Sequence, residues 1–176
     1  MKRPIYILAM IVAVSLTTVA YAQGDNVQEA TAVLKDTNGT EVGYANFTED
    51  DIGRVHVDVK VKGLSPGQHG IHIHEVGKCS PNFTAAGQHY NPLGKEHGLL
   101  NPKGPHAGDL PNIEINDGGM GYLNVTTGLF TLSPGPTTLF DDDGSAIVIH
   151  SGPDDQVTDP AGASGDRIAC GVIERK

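Results

Sequence analysis

An all-β sandwich or barrel is the fold this sequence predicts, and three features predict it. Apolar and polar residues alternate in short runs, the period of strands that turn successive side chains to opposite faces. Turn signals separate those runs: Asn38-Gly39, Ser65-Pro66-Gly67 and Asp117-Gly118. No stretch carries helical periodicity, while 23 glycines and 11 prolines punctuate the 176 residues. That length fits one domain of ordinary size.

The chain opens MKRPIYILAMIVAVSLTTVAYA, with Lys2 and Arg3 before an apolar stretch from Ile5 to Val14, and Ala20-Tyr21-Ala22 closing it. This is the pattern of a secretory signal peptide over residues 1–22, its apolar part too short to span a bilayer comfortably. Residues 23–176 are then the mature domain, secreted to a periplasmic or extracellular compartment. Four strands are expected first: VQEATAVLK, EVGYANFTE, VHVDVKV and IHIHEV. Four more follow a long gap: NIEI, GYLNV, AIVIH and RIACGVI. The gap, residues 77–110, lacks strand character but holds Cys79, three histidines and an aspartate. Residues 151–166, rich in Gly, Pro and Asp, make a second long loop. Loops of such length in a compact domain are usually functional.

Acidic residues outnumber basic ones 21 to 12, for a net charge of −9 that grows more negative when Lys2 and Arg3 leave with the leader. Such a surface repels nucleic acid and anionic membranes. The two cysteines, Cys79 and Cys170, lie far apart and can form one long-range disulfide after export.

The chemistry sits in GIHIHEVGKC. On an extended strand His72 and His74 point the same way, about 6.6 Å apart. Neutral imidazole suits copper and zinc, and His150, closing AIVIH, is a candidate third member. The long loop, AAGQHYNPLGKEHGLLNPKGPHAGDL, offers His89, His97, His106 and Asp109. Three nitrogens and a carboxylate oxygen make a plausible tetrahedral zinc set, able to organise a loop that has no apolar core of its own. His56 alternates with valines and is expected on an outer face. His69 is expected to pack or hydrogen-bond.

Taken together, HGIHIHE, GQHYNP, KEHG, GPHAGDL, VIH and DRIACGVI resemble the copper,zinc superoxide dismutase family, from about Val27 to Ile173. The intervals between His89, His97, His106 and Asp109 equal that family's zinc-loop spacing. The resemblance implies an eight-stranded Greek-key β-sandwich or barrel with two long functional loops. It implies an enzyme that converts superoxide to dioxygen and hydrogen peroxide with one copper and one zinc per subunit. By the same resemblance His72, His74, His89 and His150 are copper ligands, and His89, bridging, joins His97, His106 and Asp109 on zinc. Arg167 would stand beside the open copper position, and Asp154 would link His72 to His97. A Cys79–Cys170 disulfide would tether the long loop to the last strand.

Departures from the family pattern are informative. Cys79 follows His74 by five residues, as in secreted bacterial members. Asp141-Asp142-Asp143 and Glu174 stand where eukaryotic dimers have apolar residues and a glycine. Unpaired carboxylates are costly to bury, so a monomer or a dimer not of the eukaryotic type is expected. Sequons occur at Asn38, Asn46, Asn82 and Asn124. Two rival readings remain. A non-catalytic copper-binding domain predicts loss of a copper ligand, the bridging histidine or the arginine. A zinc hydrolase would leave the second histidine cluster and Arg167 without a role.

Overall fold

The computed structural model describes residues 28–176, so the signal peptide expected over residues 1–22 lies outside the described residues. In chain order the strands are β1 (Gln28–Asp36), β2 (Glu41–Glu49), β3 (Val55–Lys62), β4 (Gly67–His69) and β5 (Ile71–His74). After the long loop come β6 (Ile113–Ile115), β7 (Met120–Thr127), β8 (Ala146–His150), β9 (Arg167–Val172) and β10 (Glu174–Arg175). All eight expected strands are present. The two additions, β4 and β10, are three and two residues long. No helix among the described residues is long and apolar enough to cross a membrane.

Every strand pairing is antiparallel, in the order β4-β6-β7-β3-β2-β1-β9-β8-β5, with β10 on β1. The two ends of that path, β4 and β5, are separated in the chain by Gly70 alone. The sheet therefore curls into a nearly closed barrel. Non-sequential neighbours such as β3 with β7 and β5 with β8 give it Greek-key connections.

On β1 to β3 the alternation read from the sequence holds. Leu34, Ala45, Phe47, Val55, Val57 and Val59 point inward and meet Ile113, Leu132, Ile147 and Ile149. Each large side chain so buried contributes about 1.5–3 kcal/mol. On β5 and β8 the alternation fails, because every residue of both strands is buried. The long loop covers what would be their outer face. The Ile73 N–H donates to the Gly108 carbonyl at 2.8 Å, and the Tyr90 N–H donates to the Ile73 carbonyl at 2.9 Å. Gly108 permits this approach, since a Cβ there would strike the Ile73 carbonyl. The loop thus satisfies the free edge of β5 as another strand would.

A disulfide joins Cys79 to Cys170 across a sequence separation of 91, with Cα atoms 5.8 Å apart. It fastens the start of the long loop to β9.

Candidate metal centre

β5 supplies the first two histidines. His72 and His74 are wholly buried, and β8 lies beside them with His72 opposite Val148. That pairing carries His150, at the end of β8, to the same place: His74 Nε2 and His150 Nε2 lie 3.4 Å apart. His89 arrives from the loop through a bridge to His74. One nitrogen from each of His72, His74, His89 and His150 lies within 4.8 Å of all the others.

The same relation joins His89, His97, His106 and Asp109. Asp109 is the hub. Its Oδ1 faces Nδ1 of His97 at 3.0 Å, of His89 at 3.3 Å and of His106 at 3.4 Å. A tetrahedron of ligands about 2.0–2.1 Å from a zinc ion has edges of about 3.3 Å, so these separations fit one. Its Oδ2 accepts from the backbone N–H of Gly98 and His106, at 2.8 and 2.9 Å.

A metal also explains three buried atoms that have no hydrogen-bond partner, His72 Nδ1, His89 Nε2 and His106 Nδ1. The opposite ring atoms are held. The Nε2–H groups of His72 and His97 donate to the two oxygens of Asp154, at 2.6 and 3.0 Å. His74 Nδ1–H donates to the Gly87 carbonyl, and His150 Nδ1–H to that of Gly165, both at 3.1 Å. Such bonds fix which nitrogen faces a metal. Asp154 is itself clamped by Asn112, through two 2.8 Å bonds to its backbone. Gly162 passes close by, where a Cβ would strike the Asp154 carboxylate.

Electrostatics divide the two sets. Burial holds His72 down at about 3, His74 at about 2 and His150 at about 4, so these imidazoles are neutral and able to coordinate. Burial lowers His89 as well. Burial also works against a charged His97, but its hydrogen bonds to Asp109 and Asp154 outweigh that and raise it to about 9. Both carboxyls are buried, yet bonds from the histidines hold them well below the usual carboxylate range.

Arg167 lies opposite His150 across β8 and β9. Its guanidinium donates to the carbonyls of Phe83 and Gly87, both at 2.6 Å. Gly87 therefore accepts from both Arg167 and His74. No sequence signal marks a backbone carbonyl, and none of the strand or spacing arguments had pointed to Gly87, Gly165 or Asn112.

Remaining histidines fall where expected. His56 is exposed on the outer face of β3, and His69 lies between the carbonyls of His150 and Ser65, at 2.7 and 3.0 Å. A cleft of about 590 Å³ beside the disulfide, lined by Val33, Phe83 and Val172 among others, holds none of the histidines.

A β-barrel with two histidine-rich donor sets meeting at one shared imidazole defines a binuclear metalloprotein. The family model described as copper/zinc superoxide dismutase (SODC) matches residues 41–173. Superoxide dismutase (Cu-Zn) 2 of Aquifex aeolicus is 49% identical over 148 residues, which are 82% of this chain and 86% of that one. A Cu-Zn superoxide dismutase of Caulobacter vibrioides is 43% identical over 149 residues, 82% and 85% of the two chains. The crystal structure of a SOD-like protein from Bacillus subtilis superposes with a TM-score of 0.77 at 39% identity, covering 81% of this chain and 96% of the other. The chain belongs to the copper/zinc superoxide dismutase family.

Proposed function

We propose that this protein is a superoxide dismutase whose copper is held by His72, His74, His89 and His150 and whose zinc is held by His89, His97, His106 and Asp109. The observation that carries this reading is His89. Its Nδ1 faces Asp109, its buried Nε2 has no partner, and His89 is the one residue common to both donor sets. A copper ion held by His72, His74, His89 and His150 would supply one-electron redox chemistry between two superoxide ions, which zinc cannot. One superoxide leaves as dioxygen, and the other takes up two protons to leave as hydrogen peroxide.

The protein's own groups position the substrate and manage the protons. Arg167 brings a permanent cation to the anion's approach, and its bonds to Phe83 and Gly87 aim it. His89 Nε2 would be the atom placed to hold and pass a proton, taking it up only when it is not donating its lone pair to copper. Asp154 keeps His72 and His97 in one orientation throughout, so both sets retain their geometry.

The proposal includes export over a cleaved leader, residues 1–22, to an extracytoplasmic compartment, and the Cys79–Cys170 disulfide supports it, since such bonds persist there. N-terminal sequencing of the exported protein should begin at Gln23. A monomer, or a dimer unlike the eukaryotic one, is part of the proposal, because burying Asp141, Asp142, Asp143 and Glu174 in an interface would be costly. Metal analysis joined to a superoxide-decay assay tests the central reading. One copper and one zinc per chain with fast decay are expected. A protein loaded with both metals that leaves superoxide decay at the uncatalysed rate overturns it.

A further inference from the structure

Each metal-facing histidine that carries only one metal has its outer ring nitrogen tied to an oxygen, with one exception. His72 and His97 use Asp154, His74 uses Gly87, and His150 uses Gly165. The exception is His106. Its Nε2 faces Asp159 Oδ1 at 3.7 Å, longer than a hydrogen bond. That oxygen is already anchored, because it accepts the backbone N–H of His97 at 2.7 Å.

Asp159 belongs to the second long loop and both histidines to the first. We propose that Asp159 is a positioning residue for the zinc set, holding His97 by its backbone and His106 by its ring from one carboxylate oxygen. The proposal rests on the assignment of zinc to His97, His106 and Asp109. A negative oxygen opposite Nε2 favours the tautomer with its proton there and leaves Nδ1 free to coordinate. His106 Nδ1 is the atom that faces the Asp109 hub and has no other partner. Movement of less than 1 Å about the Asp159 side chain brings the two groups to about 2.9 Å, the usual bond length. Half of the Asp159 side chain is exposed, while that of His106 is 7% exposed. The carboxylate therefore closes the outer side of the zinc set and keeps water from competing for that nitrogen.

No other acid of the second loop does this. Asp154 is committed to His72 and His97, and Asp155 accepts only from Val157 and Thr158 within its own turn. Asp159 had no signal in the sequence beyond being one of four aspartates in residues 151–166.

The test is zinc release from the fully metallated protein to a colorimetric chelator, with copper release followed in parallel. Loss of an outer partner of a metal-binding histidine typically weakens affinity by about 10–100-fold. Asp159→Ala should release zinc faster within that range and leave copper release unchanged. Asp159→Asn keeps an acceptor oxygen and should restore most of the retention, and Asp155→Ala should match wild type. The proposal is overturned if Asp159→Ala releases zinc at the wild-type rate, or if Asp159→Asn releases it as fast as Asp159→Ala. Equal acceleration by Asp155→Ala or of copper release also overturns it, since either marks a general loosening of the loop. Failure of the wild-type protein to retain zinc at all strikes the metal assignment itself, a different result from any of these.

Discussion

The strand-borne and loop-borne halves of the metal centre reach the same kind of geometry by opposite routes. His72, His74 and His150 stand on β5 and β8, whose neighbours Ile71, Ile73, Ile147 and Ile149 are wholly buried in the barrel core. Core strands fix their positions, and burial first, with the neighbouring His89 and Arg167 adding to it, keeps them neutral. His97, His106 and Asp109 stand in a loop with little regular structure, held by hydrogen bonds to backbone and to the second loop. There two carboxylates do the organising, Asp109 through Nδ1 of His97 at 3.0 Å and Asp154 through its Nε2 at 3.0 Å. A site on strands waits for its ion, whereas a site in a loop is partly made by it.

Removing one ligand from each half gives the largest expected effect and the sharpest test of that contrast. His74→Ala should abolish dismutation and copper binding while largely sparing zinc and the melting temperature. His106→Ala should loosen residues 77–110 and lower the melting temperature. Metal content and thermal melts of both variants decide the matter. A His74→Ala protein with full activity would contradict the copper assignment, and one that melts as low as His106→Ala would erase the distinction between the halves.

Arg167→Glu comes next. It replaces the cation proposed to meet the substrate with an anion and breaks the bonds to Phe83 and Gly87, the latter shared with His74. We expect a severe loss of rate with zinc retained. A rate equal to wild type at every ionic strength would remove Arg167 from the mechanism.

The disulfide tests how far the loop depends on outside support. Closing a separation of 91 residues contributes about 4–5 kcal/mol in the chain-entropy model. Purified protein should show no free thiol until reduced, and reduction should lower the melting temperature. The fall should be greater after zinc is removed, because the bond and the metal restrain the same segment. An unchanged melting temperature on reduction, with zinc removed as well, would show that the loop is held by its hydrogen bonds alone.

The contrast also marks what could be read from the sequence. Eight strands were legible because each alternates or runs apolar, down to the Ile-Glu-Ile of β6. β4 and β10 were not, being Gly-Gln-His and Glu-Arg, with no apolar residue to mark a period. The residues of both donor sets were legible through histidine spacing and family resemblance, and the structure brings each set together. Their supports were not. Gly87 and Gly165 act through carbonyls, Asn112 through a contact with Asp154, and Asp159 through the distant His97 and His106. Interactions made across two loops leave no periodic trace in either one.

The smallest expected effects concern charge beyond the centre. A protein of net charge −9 opposes an approaching anion, and the second long loop contains no lysine to offset it. Lys95 and Lys103 of the first long loop are the nearest substitutes in sequence to His97 of the proposed zinc set. The structure qualifies that expectation for Lys103, whose Nζ pairs with Glu96 Oε1 at 2.9 Å. Both partners are exposed, so the pair adds little stability, and at a distance its two charges largely cancel. Lys95 has no ion-pair partner among the described residues. Fields add, so Lys103→Gln leaves Glu96 unbalanced and should slow the reaction, Glu96→Gln should speed it, and the double variant should return close to wild type. Lys95→Glu should slow it more than Lys103→Gln, since it reverses a charge. Each change should be at most about a few-fold at low salt, far below that of Arg167→Glu. All should shrink as added salt shortens the screening length to about 8 Å and less. Rates measured from low to high ionic strength check this. A double variant as slow as Lys103→Gln alone would show that the pair acts through loop structure and not through the field.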